Sequence, residues 1–209
     1  MSNRLKTGSS DKILRMTQLA ILTAIVILLQ CFVTFVKLPF LPTSFNLALI
    51  PIALGAILLG PRAGAWLGFV CGAVVLICGV AGADIFTHLL FELQPLMTVA
   101  ICLVKTTVAG LLAGLAFPPL SKETHWGALF ATAAIVPVVN TGIFILGSFI
   151  IKDAVIEVGR QLEIYTEGMS IIAYVFVVLV TVNFFFFELI PCLALTPAME
   201  RIVYAIKKK

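Results

Sequence analysis

The chain has 209 residues and a mass of 22.5 kDa; 61% of its residues are hydrophobic, 11% are charged, the mean hydropathy is +1.16 and the formal net charge is +4. A soluble domain carries roughly 25% charged residues because its outside faces water, so this composition places the chain in a bilayer and excludes a disordered chain, a disulfide scaffold and a nucleic-acid reader. Six spans of roughly 20 apolar residues would use about 120 of them. That leaves short connections and no second soluble domain, with transporter, channel, membrane enzyme and accessory subunit as the remaining classes.

In chain order, the first apolar run covers residues 14–36, after a polar stretch that ends at Lys12. It is too long for a signal-peptide core and no small-residue cleavage site follows it, so it reads as a retained span. Pro39 and Pro42 stop it, since proline lacks the amide proton and restrains the residue before it. A short second span, 47–60, meets a tight turn at Gly60-Pro61-Arg62, and a third span follows at 63–80. Residues 81–94, with Asp84, His88 and Glu92, read as a connection of interfacial helical character. Pro95 opens a fourth span, 95–117, which the Pro118-Pro119 pair ends ahead of a polar loop, 121–126. A fifth span is expected at 127–151, a charged loop at 152–168 and a sixth span at 169–195. The expected fold is an all-α membrane protein, a single domain over 1–209 built as a bundle of six transmembrane helices.

Loop charge orients such a bundle, because cytoplasmic segments near span ends carry the excess of Lys and Arg. With six spans and both termini cytoplasmic, ten basic residues lie inside and only Lys37, Lys152 and Arg160 outside; Lys105, within a span, completes the fourteen. Trp66 and Trp126 fall at the inner ends of their spans, where an indole suits the interface. The basic balance therefore reports topology, and no acidic partner is needed to explain it. Cys31, Cys71, Cys78, Cys102 and Cys192 all lie in expected spans, odd in number and without CxxC spacing, and read as small buried hydrophobes.

No GxxxxGK[ST] sequence is present to cradle ATP phosphates, so any active transport would draw its energy from another chain. Neither HExxH nor GxSxG occurs, and His88 and His125 are expected on opposite membrane faces, which makes an enzyme the weaker class. No cofactor and no metal site are indicated.

Three constellations could carry function. The first is a set of small residues at four-residue spacing: Ala20 and Ala24 in the first span, Gly60, Gly64, Gly68 and Gly72 along the third, Gly110 and Gly114 in the fourth. Residues four apart share a helix face, and a face without side chains lets another helix approach closely, either inside the bundle or from a partner. The second is a set of polar residues deep in apolar runs. At ~1.5 Å rise per residue, Gln30 lies about 9 Å inside its span, Lys105 about 15 Å, Asn140 about 16 Å and Asn183 about 21 Å, while Asn46 opens the second span. A lysine near mid-bilayer costs at least ~2.5 kcal/mol unless it finds a partner or a cavity, so Lys105 is the sharpest candidate for ligand binding. An ion pair with Glu188, or a stem that snorkels to the interface, is its structural alternative, and the asparagines have interhelical hydrogen bonds as theirs. The third is Asp84, His88 and Glu92 at i, i+4 and i+8. They could ligate a divalent metal, but read more simply as the polar face of an interfacial helix whose other face is Phe86, Leu89, Leu90 and Phe91. The run 184–187 of phenylalanines reads as lipid-facing.

The basic segment running into MTQLAILTAIVILLQ, the proline-bearing outer loop and the block FNLALIPIALGAILLGPRAGAWLGFVCG together resemble the substrate-binding S components of energy-coupling factor (ECF) transporters, which capture vitamins for bacterial uptake. The resemblance spans nearly the whole chain. It implies a six-helix domain in the cell membrane that encloses its substrate near the outer side, under the loops after spans one, three and five. It also implies that the Ala20-xxx-Ala24 face docks on the transmembrane coupling subunit of a module with two ATPase subunits. Cobalt and nickel relatives carry a histidine just after the initiator methionine, where this chain has Ser2 and Asn3, which argues against metal transport.

Under that resemblance the expected function is capture of a water-soluble vitamin at the outer face for ATP-driven uptake, with no enzymatic activity. The substrate-binding candidates are Gln30, Asn46, Lys105, Asn140 and Asn183. A buried lysine suits a carboxylate or phosphate, which puts pantothenate first and riboflavin or its nucleotide second. The alternative is a small secondary transporter that works without ATPases, with Lys105 and Glu188 as a proton relay; a membrane enzyme would need the Asp84, His88, Glu92 stripe to hold a metal and a water.

Overall fold

The computed structural model describes residues 2–35, 46–120, 125–176, 184 and 188–207, and among these every regular element is helical. Among the described residues four helices contain stretches long and apolar enough to cross a membrane, Lys12–Phe35, Pro61–Val80, Pro95–Phe117 and Trp126–Ile150, and Leu49–Leu59 is a shorter apolar helix. Helix α1 runs Ser2–Phe35. It starts well before the expected span, so residues of the polar stretch, expected outside the helix, are its first turns. The loop with Pro39 and Pro42 lies outside the described residues.

Helix α2, Leu49–Leu59, carries Pro51 in its first turn, where a missing N–H costs nothing because that position has no intrahelical partner. At 11 residues it is about 16 Å long. Gly60 follows with φ +93°, a conformation that a side chain resists, and its amide still donates to the Ala56 carbonyl at 3.1 Å. Pro61 then opens α3, Pro61–Val80, so the turn expected at residues 60–62 takes less chain than expected. The connection to the next span contains α4, Ile85–Leu93, and α5 covers Pro95–Leu120. Pro118 and Pro119 sit in the last turn of α5 rather than after it, and helix α6 begins at His125 and ends at Ile150. Within α6, Pro137 has no N–H to offer the Ala133 carbonyl, which removes one helical hydrogen bond a turn before Asn140.

One expectation fails after α6. The charged stretch after residue 151 is a helix, α7, Lys152–Gln161, rather than a loop, because Val155 and Val158 bury one face while Asp153 and Arg160 suit its first and last turns. The middle of the sixth span expected at 169–195 lies outside the described residues; its described parts, 171–176, 184 and 188–194, are helical and include α8, Ile171–Ala173, capped by the Ser170 hydroxyl, and α9, Ile190–Ala194, with Pro191 in its opening turn. Chain continues as α10, Thr196–Lys207, whose Met199 and Val203 are buried.

The closest pairing in the bundle is α3 against α5, and the glycines explain it. A Cβ placed on Gly64, Gly68 or Gly72 would run into backbone atoms of Gly110, Thr106 or Cys102, and one on Gly114 would run into Pro61. Backbones in such contact gain dispersion and weak C–H···O attraction that lipid cannot replace. The glycine stripes thus pack inside the bundle, whereas Ala20 and Ala24 are exposed on α1, opposite the buried Leu22, Val26 and Gln30. Two apolar clusters result. One joins α1, α2, α3, α5 and α6 through residues such as Val26, Ile52, Leu67, Ala113 and Leu129. The other gathers Phe86, Leu90, Ile101, Val155, Val158 and Tyr174 at the end where α4 and α7 lie.

Candidate functional site

Polar side chains that each look out of place in an apolar helix converge beside the second cluster. One cavity is lined by Gln30 of α1, Asn46 ahead of α2, Asp84 ahead of α4, Lys105 of α5, Asn140 and Thr141 of α6, and Glu188, with Phe86, Phe144 and Phe184 among its apolar walls. Four of the five expected binding residues therefore meet at one place. The fifth, Asn183, lies outside the described residues.

Each is held by local helix geometry. On α1, Gln30 faces inward with Val26 and Val33, a turn away on either side, and is 2% exposed. Asn46 is buried too, and the Cys71 thiol lies between the two amides, 3.7 Å from Gln30 Oε1 and 3.6 Å from Asn46 Oδ1. Cys71 is thus a weak donor in a polar seam and not only a small hydrophobe. Lys105 sits one helical turn after the buried Ile101 and Cys102. Its Nζ lies 5.2 Å from the centre of the Phe144 ring, a cation–π contact that offsets part of the loss of water.

No ion pair joins Lys105 to Glu188, which corrects the structural alternative expected for the lysine. Glu188 is held instead by neutral donors. The Thr141 hydroxyl donates to Oε2 at 2.8 Å, and Asn140 Nδ2 faces both carboxylate oxygens at 3.4 and 3.3 Å. Because its amide nitrogen must face the carboxylate, Asn140 is left presenting Oδ1, a buried acceptor with no hydrogen-bond partner among the described residues.

Asp84 was expected on the polar face of an interfacial helix, in line with His88 and Glu92. The three diverge. Asp84 is buried, lines the cavity and accepts the Thr87 hydroxyl at 2.7 Å. Burial pushes its carboxyl above the usual range, opposed by the Thr87 hydrogen bond and the charge of Lys105. His88 turns its Nδ1 to the Gly79 carbonyl at 3.1 Å and its Nε2 to Glu92 at 3.6 Å, outside the cavity. Among the described residues no three His, Cys, Asp or Glu side chains gather as a metal site would require.

Sequence reasoning missed Asp84, Thr141 and Phe184 as lining residues and met Glu188 only as a partner for Lys105. Glu188 had the stronger signal, an ionisable residue between apolar neighbours. Phe184 carried none, and its placement on the cavity corrects the lipid-facing expectation for the first of the four phenylalanines; 185–187 lie outside the described residues.

Among the described residues the cavity has one cation, two carboxylates, three carboxamides and aromatic walls, the profile of a concave pocket that fixes a ligand by a few convergent polar groups. Residues 14–199 match the family model described as ECF transporter, substrate-specific component. No curated protein and no solved structure matches the chain.

Proposed function

The chain belongs to the family of ECF transporter substrate-specific components, and on that premise we propose that it captures a water-soluble vitamin at the outer face of the bacterial cell membrane and hands it to an ECF module for ATP-driven uptake. Membership makes it a substrate-binding, multi-pass transport component, which is not an enzyme class. The observation that carries the proposal is the convergence of Gln30, Asn46, Lys105 and Asn140 on one cavity. The topology that goes with it has six spans and both termini cytoplasmic, which makes the cavity end, with α4 and α7, the outer end. The partners are a transmembrane coupling subunit and two ATPase subunits, since the chain has no phosphate-binding loop of its own. Taken alone, Lys105 selects an acid or phosphate group, which ranks pantothenate first and riboflavin or its nucleotide second. The two carboxylates that share its cavity weigh against a ligand that is anionic overall.

Uptake tests the reading. Membrane vesicles holding the chain with a complete ECF module should accumulate the compound that co-purifies with the chain, and a substitution that disables both ATPases should abolish this. Accumulation that survives the substitution favours a small secondary transporter instead, with Lys105 and Glu188 as its titrating groups.

A further inference from the structure

Among the described residues, the charges that line the cavity do not balance. Lys105 supplies one positive charge, and Asp84 and Glu188, 8% and 7% exposed, supply two carboxylates. Lys105 sits over the Phe144 ring and makes no ion pair with Glu188, so among the described residues the Glu188 carboxylate is hydrogen-bonded by the neutral donors Thr141 and Asn140 and paired with no cation. Beside it, Asn140 Oδ1 is a buried acceptor without a partner among the described residues, in a side chain 3% exposed. Leaving a buried acceptor unmet or a buried carboxylate uncompensated carries a penalty that a ligand can remove. Asn140 and Glu188 are hydrogen-bonded neighbours that both line the cavity, and one group that reached both would answer both: a cationic nitrogen that bears N–H, giving its charge to Glu188 and a hydrogen bond to Asn140. An anionic ligand without such a group would deepen the negative excess and leave Oδ1 unmet unless a hydroxyl reached it.

We propose that the ligand of this cavity carries a cationic nitrogen with at least one N–H, an ammonium, amidinium or protonated aminoazine group, seated on Glu188 and Asn140, and that any acidic group it also has turns to Lys105. The inference rests on the uptake reading, since it names the chemistry of that cargo. The remaining walls, Phe86, Leu90, Phe144 and Phe184, suit an apolar or aromatic body between the two poles.

The test begins with the full chain purified from bacterial membranes in detergent, denatured, and the released small molecule identified by mass spectrometry. The expected result is a compound with a protonatable or amino-bearing cationic nitrogen. Glu188→Gln should lower the amount retained at least tenfold, the order expected for loss of one charge-assisted hydrogen bond, while the empty variant unfolds at or above the wild-type temperature because a buried charge is gone. A released vitamin without such a nitrogen, or full retention by a folded Glu188→Gln protein, overturns the inference and leaves the uptake reading standing. Where the variant fails to fold or nothing is released, the wild-type chain is titrated with pyridoxamine, pantothenate and riboflavin as ammonium-bearing, anionic and neutral probes. Saturable binding of the ammonium-bearing probe above the other two supports the inference; tighter binding of pantothenate or riboflavin, or binding of none, overturns it. Failure of the uptake reading shows separately, as vesicles with an intact module that accumulate none of the compound.

Discussion

Lys105 and Asp84 show how depth and burial make different demands on a side chain. Lys105 stood out in the sequence because a lysine ten residues into an apolar run must be explained, and it lines the cavity over Phe144. Lys105→Met keeps the stem volume and removes the ammonium. It should weaken binding of the co-purified compound by about tenfold to a hundredfold if that compound also carries an acid group. The empty protein should stay folded, since no ion pair is broken and the lost cation–π contact is worth only about 0.5–2 kcal/mol; calorimetric titration of the variant reads both. Asp84 was legible only as a polar residue in a connection, because nothing in local spacing says that α4 folds back to bury it. Its carboxyl is held above the usual range, chiefly by burial, so the folded state favours the protonated form. The sign follows directly: deprotonation costs stability as pH rises from the ordinary carboxylate range through the raised value, and the cost is absent below both. Asp84→Asn, which can still accept the Thr87 hydroxyl, should raise the unfolding temperature at neutral pH, with the gain shrinking as pH falls towards 4. Equal gains at both pH values would mean that ionisation of Asp84 is not what costs stability.

Among the elements, the helices that cross the apolar layer were readable from run length and from proline and glycine at their ends, and α3, α5 and α6 begin and end within a few residues of expectation. What the sequence concealed was amphipathic. Helix α7 mixes charge with buried valines and so resembles a polar loop until its inner face finds the second cluster. The glycine stripe was readable but ambiguous, since the same spacing serves a partner helix or a neighbour within the bundle. The structure assigns it to the neighbour: α3 meets α5 backbone to backbone at Gly64, Gly68 and Gly72. Gly68→Val would drive a branched side chain into the Thr106 carbonyl, and overpacking of this kind costs about 1–3 kcal/mol. The expected outcome is a lower unfolding temperature in detergent with ligand binding weakened alongside, because Ile101, Cys102 and Lys105 ride on α5. Gly60→Ala should also destabilise, by about 1 kcal/mol, through its positive φ alone, as nothing lies near enough to clash. Unfolding temperatures of the two variants separate steric overlap from backbone strain.

At the scale of the whole molecule, the proposed binding and delivery surfaces differ, and α1 carries both. Its inner face supplies Gln30 to the cavity, while its outer face exposes Ala20 and Ala24 amid Ile21, Ile25 and Leu28. Small residues bordered by large apolar ones form a shallow seat for a second helix, and in lipid the gain comes from the closeness of the backbones. Gly64, Gly68, Gly72, Gly110 and Gly114 are spent within the bundle, whereas the alanine face of α1 is exposed and is the face proposed for a partner. Replacing Ala20 or Ala24 with Trp would fill the seat without touching the cavity, because the new ring points away from Leu22, Val26 and Gln30. In vesicles with the complete module, uptake should fall at least tenfold while the isolated variant keeps wild-type affinity for its ligand and a wild-type unfolding temperature. Co-purification of the variant with the coupling subunit should fall in step with uptake. Loss of affinity or stability in the isolated variant would assign the face to internal packing, and full uptake with a bulky ring in place would move the docking surface elsewhere on the molecule.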